Sequence, residues 1–247
     1  MKLIERYSLV PIYHQVKEFI RSKIESGEWL PGYKIPSEEQ LARDFGISRM
    51  TVRRSLMELT GEGILYRQQG KGTFVAGPKI IQHLAIITSF TQDMLARGMK
   101  PSSRVLEKGF LNAPKGLADK LKTAIGEPVI FIDRVRLADS KPMAIETAYV
   151  VYRLCPTLID DDLEGNSLNA LIESKYGQKF AYAIQTLEAA LASGRDAQLL
   201  TIAEGDPVLR MERIYHSMDG TPIMFVVSTY RADKYKFTVT LEGMPPR

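Results

Sequence analysis

Cysteine is almost absent from this chain of 247 residues, where Cys155 stands alone. One thiol cannot close a disulfide within the chain, and such scarcity fits a reducing compartment, the cytoplasm. Histidine is nearly as rare: His14, His83 and His216 are far apart and without neighbouring ligand patterns, so no metal is expected. Also missing are an apolar run long enough to cross a bilayer and, at the N-terminus, the pattern of a secretory signal. No membrane partner is expected. What remains is a composition of 45% hydrophobic and 25% charged residues, normal for globular protein. The length fits one large domain or two ordinary ones.

Charge is unevenly shared. Residues 1–79 hold 13 Lys and Arg against 9 Asp and Glu, whereas the rest of the chain holds 20 of each. The whole net charge of +4 therefore falls in the first third, the asymmetry expected if that part alone meets a polyanion.

Within that third, PSEEQLARDFGISRMTVRRSLMELTGEG (residues 36–63) reads as two short helices around a tight turn. Ser37 is an N-cap with Gln40 three residues on, a reciprocal box. Leu41, Ala42 and Phe45 form an apolar face, and Gly46 supplies the turn. Ser48 caps the second helix, with Ile47 and Val52 placed as a hydrophobic staple. Val52, Leu56 and Leu59 fall on one side of this helix, while Arg49, Arg53 and Arg54 point away. Such a face suits a DNA major groove, where arginine bonds guanine or grips phosphate. On these residues alone, it equally suits a solvated basic surface.

Pro11 opens an earlier helix at its first position, with Ile12, Val16, Phe19, Ile20 and Ile24 as its stripe and Gly27 at its end. Trp29–Ile35 is a turn-rich connector. Ile64–Arg67 and Thr73–Val75, around Gln68-Gln69-Gly70-Lys71-Gly72, read as a β-hairpin. Three helices followed by a hairpin make a winged helix-turn-helix over residues 1–75, with residues 76–79 as linker and a second domain over residues 80–247. The expected class is α+β.

LPGYKIPSEEQLARDFGISRMTVRRSLMEL and GEGILYRQQGKGTFV resemble the DNA-binding domain of the GntR transcription factors. The resemblance implies base or phosphate contacts from Arg49 and Arg53, a backbone contact from Thr51, and a wing tip, Gly70-Lys71-Gly72, in the minor groove. Ser37, Glu39, Ser48 and Arg54 complete the candidate DNA-facing set. Glu39 stands where relatives often carry arginine.

In the second domain, strands are expected at residues 129–137, 143–151, 180–192, 208–216, 223–230 and 235–241. Helices are expected at 92–97, 115–123, 167–176 and 195–203. LADKLKTAIGEPVIFIDRVRLADSKPMAIETAYV echoes DAQLLTIAEGDPVLRMERIYHSMDGTPIMFVVSTY at a period of roughly 80 residues. Each copy reads helix, turn, strand with a central arginine (Arg134, Arg213), polar turn, strand. Two copies would give a mainly antiparallel sheet with a ligand cleft between them. Thr88–Pro101 opens with hydroxyl residues before a short helix, either an anion site or simple capping by Thr91. Arg134 and Arg136 alternate along one strand and share a face, as an anion clamp or as partners of acidic neighbours. Glu146 interrupts an apolar strand, to accept bonds from a ligand or to satisfy those arginines.

This half resembles the UTRA effector domain of the HutC branch of GntR regulators, through RVRLADSKPMAIETAYV and STYRADKYKF. SFTQDMLARG is similar to the amino-sugar-phosphate regulators of that branch. The resemblance implies a chorismate-lyase-like fold and a phosphate held by the Ser89, Phe90 and Thr91 amides with Arg134 and Arg136. Glu146, Ser167 and Tyr230 would line the rest of the pocket. Met224 and Val227 stand where those relatives carry a carboxylate and a lysine. The implied protein is a homodimeric repressor of a near-palindromic DNA operator, modulated by a small anionic effector, a phosphorylated sugar or amino sugar, and using no cofactor. The competing readings are an enzyme acting on a small anion, a regulator of a non-sugar anion, and a non-specific nucleic-acid binder.

Overall fold

Serine caps and glycine stops set the first helices. The computed structural model describes residues 4–5, 8–68, 70–77 and 79–241, so Gln69 of the hairpin turn and Pro78 of the linker lie outside the described residues. Helix α1 is Ile12–Glu25, α2 Glu38–Phe45 and α3 Arg49–Gly61. Pro11 precedes α1 as its N-cap, one place earlier than expected, because its ψ of 140° is extended rather than helical. Ser37 Oγ accepts from the Gln40 amide at 3.2 Å. The return bond from the Gln40 side chain is not made, so the expected box is half formed. Gly46 ends α2 with a φ of 63°, the left-handed region where glycine costs least.

Val52, Leu56 and Leu59 of α3 pack with Val16, Ile20, Trp29, Ile35 and Leu41 into one core, against which Ile47 also packs, as the staple requires. Lys17 on α1 bridges Glu58 and Glu62 on α3 at 2.8 and 2.7 Å. Strands β1 (Leu65–Gln68) and β2 (Gly72–Val75) form the expected hairpin. The connector before α2 does more than turn. Its Gly32 and Ile35 amides donate to Val75 and Thr73 carbonyls, and Val75 donates back to Tyr33, so it is tied to β2 through an isolated bridge at Lys34 and Phe74. Gly72 has a φ of 123°, and a Cβ there would meet Lys34 Cε at 2.9 Å. Only glycine fits without displacing that lysine.

Met1–Lys79 and Ile80–Arg247 form separate compact units. The second opens with β3 (Ile80–His83), paired in parallel with β10 (Tyr235–Thr238). Between them come α4 (Phe90–Leu95), β4 (Pro101–Asn112), α5 (Lys115–Leu121), β5 (Pro128–Ala138), β6 (Lys141–Val151), α6 (Leu168–Ser174), β7 (Tyr182–Leu191), α7 (Gly194–Leu200), β8 (Pro207–His216) and β9 (Pro222–Arg231). A six-stranded sheet has the order β4-β5-β6-β9-β8-β7, with every neighbouring pair antiparallel.

The sequence echo becomes an internal dyad. The run α4-β4-α5-β5-β6 repeats as α6-β7-α7-β8-β9. Ala144 pairs with Tyr230 and Val150 with Met224, and 144 and 224, like 150 and 230, are equivalent positions of the two copies. Thr147 pairs with its own equivalent, Val227, so the axis runs through that pair.

Several expectations shift. β3 and β4 were not expected as strands: β4 carries Pro101, Gly109 and scattered charges, and as an edge strand it has no clean alternation. β10 stops at Thr238, short of residue 241. α4 starts at Phe90 rather than residue 92, because Ser89 and not Thr91 is its cap, in a full capping box with Gln92.

Candidate functional site

In the first unit, α3 presents its arginines in three different states. Arg49 Nη2 lies 2.7 Å from Glu39 Oε1 on α2, with both side chains more than half exposed (66% and 51%). Glu39 also pairs with Arg43 at 3.4 Å. Arg54 is drawn sideways: its Nε donates to Glu58 at 3.2 Å, and its guanidinium lies 3.8 Å above the Tyr13 ring. Arg53 is exposed and, among the described residues, has no partner. Ser48 Oγ takes the Thr51 amide at 3.2 Å and shares a proton with Thr51 Oγ1 at 2.8 Å, so both hydroxyls serve the cap. Ser37 does the same for α2. Gly70 and Lys71 are exposed at the wing tip, beside Gly72.

Removal of the unpartnered cation should matter most. Arg53→Ala is expected to weaken operator binding by about 1–3 kcal/mol, read by fluorescence anisotropy on labelled duplex. Arg54→Ala should cost less, since its guanidinium is already engaged with Glu58 and Tyr13. Lys71→Ala should lower the slope of log K against log salt by about one, the value for one phosphate contact. An unchanged slope would leave the wing without a phosphate role.

In the second unit, one face of the sheet carries a cleft across the dyad. Arg134, Arg136, Glu146, Met211, Arg213, Tyr215, Val226, Ser228 and Tyr230 line it from β5, β6, β8 and β9. Ser89 and Phe90 close one side and Ser167, Leu168 and Asn169 the other, with Gln82 and Thr88 beside them. Ser89 and Ser167 are both helix N-caps and occupy equivalent places in the two copies. The cleft holds about 430 Å³ counting its open mouth.

Its electrostatics are unusual. Arg134 and Arg136 are buried (1% and 3% exposed) and turn to the same side, as strand alternation requires. Glu146 faces Arg134 across the β5–β6 pairing and is hydrogen-bonded to it, and lies 3.8 Å from Arg136. Arg134 also donates to the Leu163 carbonyl at 3.2 Å. Arg136 donates to Thr91 Oγ1 at 3.0 Å and sits over the Phe90 ring. The Nε atoms of both arginines are buried without an acceptor. Burial pulls the Arg136 pKa down to about 10, with Glu146 opposing the change and Arg134 adding to it. Burial also works against the charge on Glu146, but Arg134 and Arg136 outweigh it and hold the carboxyl below its usual value. Burial pushes the Tyr230 phenol up, so it stays protonated.

Two expected contributions change. The Ser89 amide donates to Gln92 Oε1 at 2.9 Å, so the capping box has already taken it. Ser167 Oγ accepts from the Ala170 amide at 3.4 Å while still lining the cleft. Val227 lies on the opposite face of the sheet, beside Thr147 and Arg195, and Met224 is sealed in the core without lining the cleft. Neither departure from the relatives' pattern alters the cleft wall. Arg213 is the residue that site reasoning passed over. The internal echo marked it as Arg134's counterpart, which was the available signal.

The profile described as bacterial regulatory proteins, gntR family, matches residues 12–75, and that of the UTRA domain matches residues 96–236. The HTH-type transcriptional repressor NagR of Bacillus subtilis (strain 168) is 39% identical over 95% of this chain and 96% of that protein. The histidine utilization repressor of Pseudomonas putida is 32% identical over 82% of this chain and 81% of that protein. Among solved structures, PhnF from Mycobacterium smegmatis matches with a TM-score of 0.66 at 30% identity, covering 92% of this chain and 99% of that one.

Proposed function

This chain belongs to the gntR family of bacterial regulatory proteins, with a UTRA domain behind its DNA-binding unit, and we propose that it is a repressor whose grip on its operator is relieved by a phosphorylated sugar or amino sugar. It is a sequence-specific DNA-binding regulator of transcription, responsive to a small effector, and not an enzyme. The phosphate is the proposed part, and one observation supports it. Two buried guanidinium groups share one carboxylate and keep unsatisfied Nε donors. Each buried donor without an acceptor costs about 1–3 kcal/mol, and a phosphate oxygen is the acceptor arginine matches best. The Thr91 hydroxyl and the Phe90 ring, in the first turn of α4, stand against Arg136.

A sugar phosphate in this cleft would lie between the N-termini of α4 and α6 and bear on both. Effector binding and the positions of those helices are then coupled, which is what a regulator needs. Couplings of this kind are worth about 1–3 kcal/mol per effector. The operator-bound form is proposed as a cytoplasmic homodimer, because two-fold symmetry lets two copies of α3 read the half-sites of a near-palindrome.

The test compares binding to palindromic and scrambled duplexes with and without sugar phosphates. Sequence-specific binding weakened by a sugar phosphate supports the reading. Specific binding indifferent to every sugar phosphate, but released by a non-phosphorylated anion, would replace it.

A further inference from the structure

Where α2 meets α3, a carboxylate stands on the surface that faces DNA, and the fold does not require it there. α2 opens with two acids, Glu38 and Glu39, in its first turn. Glu38 is held by Arg67 of β1 at 2.6 Å. Glu39 turns instead to the start of α3: its Oε1 lies 2.7 Å from Arg49 Nη2 and accepts from Arg43 Nη1 at 3.4 Å. Either acid suits the positive end of α2, so that role does not need Glu39. Arg43, Glu39 and Arg49 are each more than half exposed, and ion pairs so exposed add little to stability.

Geometry sets this carboxylate level with the bases. The second helix of a helix-turn-helix enters the major groove with its N-terminal residues against base edges, and Arg49 is the first residue of α3. Glu39 meets Arg49 at the tip of its guanidinium rather than along its stem. It therefore lies at the depth that Arg49 reaches. Both arginines use Oε1, which leaves Oε2 for a donor on the DNA.

The chemistry of the groove then selects the base. A carboxylate near phosphates is repelled by them, so it favours binding only where a base donor meets it. Guanine shows two acceptors, N7 and O6, and thymine shows an acceptor and a methyl group, so both oppose an acid. Adenine offers its N6 amino group, but the N7 lone pair beside it would face the other carboxylate oxygen. Cytosine alone presents a donor, N4, with no acceptor at its side. Arg49 keeps the rest of its fork for guanine O6 and N7.

We propose that Glu39 is a specificity-determining residue, which selects cytosine at one position of the site that each α3 reads by accepting a hydrogen bond from the N4 amino group.

The test enriches a randomised duplex pool with the full-length protein. Fluorescence anisotropy then compares the four bases at each position of the enriched duplex. With the wild type, one position should favour cytosine about tenfold or more over the other bases, the discrimination of a good contact between side chain and base. Glu39→Ala should flatten that preference to within about twofold and leave those at other positions in place. Glu39→Gln keeps the shape without the charge. An amide matches adenine N6 and N7, so the same position should turn from cytosine to adenine. Trp29, buried in the core of this unit, reports that each variant is folded.

A carboxylate that merely steadied Arg49 would give a different result. Glu39→Ala would then change affinity for every duplex alike and keep each base preference, which overturns the proposal. So does a wild type that prefers a base other than cytosine at the position Glu39→Ala relaxes, or a cytosine preference that survives Glu39→Gln. A pool left unenriched by the wild type would overturn operator recognition itself, and the proposal with it.

Discussion

Arg134→Ala should destabilise the second unit by about 3–5 kcal/mol, the cost of stripping one partner from a buried ion pair. Arg134 is fully buried, and its loss leaves Glu146 in the cleft floor with Arg136 at 3.8 Å as the remaining counter-charge. It also orphans the Leu163 carbonyl. A lost effector response on an undisturbed scaffold is therefore not the result to expect from alanine. The triple variant Arg134→Met/Arg136→Met/Glu146→Met removes all three charges, so no buried cation is left without its carboxylate, and should recover most of the stability while abolishing phosphate binding. Differential scanning calorimetry measures the first effect and titration calorimetry the second. If Arg134→Ala melts like the wild type, the ion pair carries no weight in the fold.

The same pair gives the acid limb of stability. Glu146 has a folded pKa below its unfolded value near 4.5, so the unfolded state takes up the proton first as pH falls. Its contribution is complete above the unfolded value and is lost as pH drops through the folded one. Stability measured between pH 7 and pH 3 should decline in that lower window, and the decline should change in Arg134→Ala.

Leu56→Ala is the second large effect, about 2–5 kcal/mol, because the site is closed on all sides and cannot collapse onto the void. A domain of this size has about 5 kcal/mol to lose, so operator binding should disappear with it. The measurement is unusually clean. Trp29, the one tryptophan of the chain, is buried in the same core and stacks on Tyr33. Its emission follows the DNA-binding unit without a signal from the second. Leu56→Ala should move the Trp29 denaturation midpoint sharply to lower urea; an unmoved midpoint would mean that the site repacks.

Features with a local cause were legible in the residues. Ser37, Ser48 and Gly46 set the recognition motif, and strands from Val129 onward followed from apolar runs with polar residues interspersed, such as VIFIDRVRL and MAIETAYVV. Arg134 and Arg136 were placed together because a strand alternates. What the residues did not disclose depends on distant partners. β4 is a strand because β5 lies beside it, not because its own residues alternate. The connector is tied down at Lys34 because β2 offers bonding partners. Glu39 reaching Arg49, and Tyr13 under Arg54, are encounters between helices that spacing within one helix cannot show. The Ser89 amide was misjudged for a smaller reason: Gln92 was three residues away and was not read as the other half of a box.

A symmetrical cleft would accept an elongated molecule either way round. Here the equivalents of Arg136, Glu146 and Tyr230 are Tyr215, Val226 and Val150, so the matching halves have come to differ where a guest would touch them. Only the arginines at 134 and 213 and the serines at 89 and 167 keep their likeness. The repeat thus supplies a frame with two ends, and the mismatched positions, Arg136, Glu146 and Tyr230 among them, give it a head and a tail, so that a guest is read in a single direction.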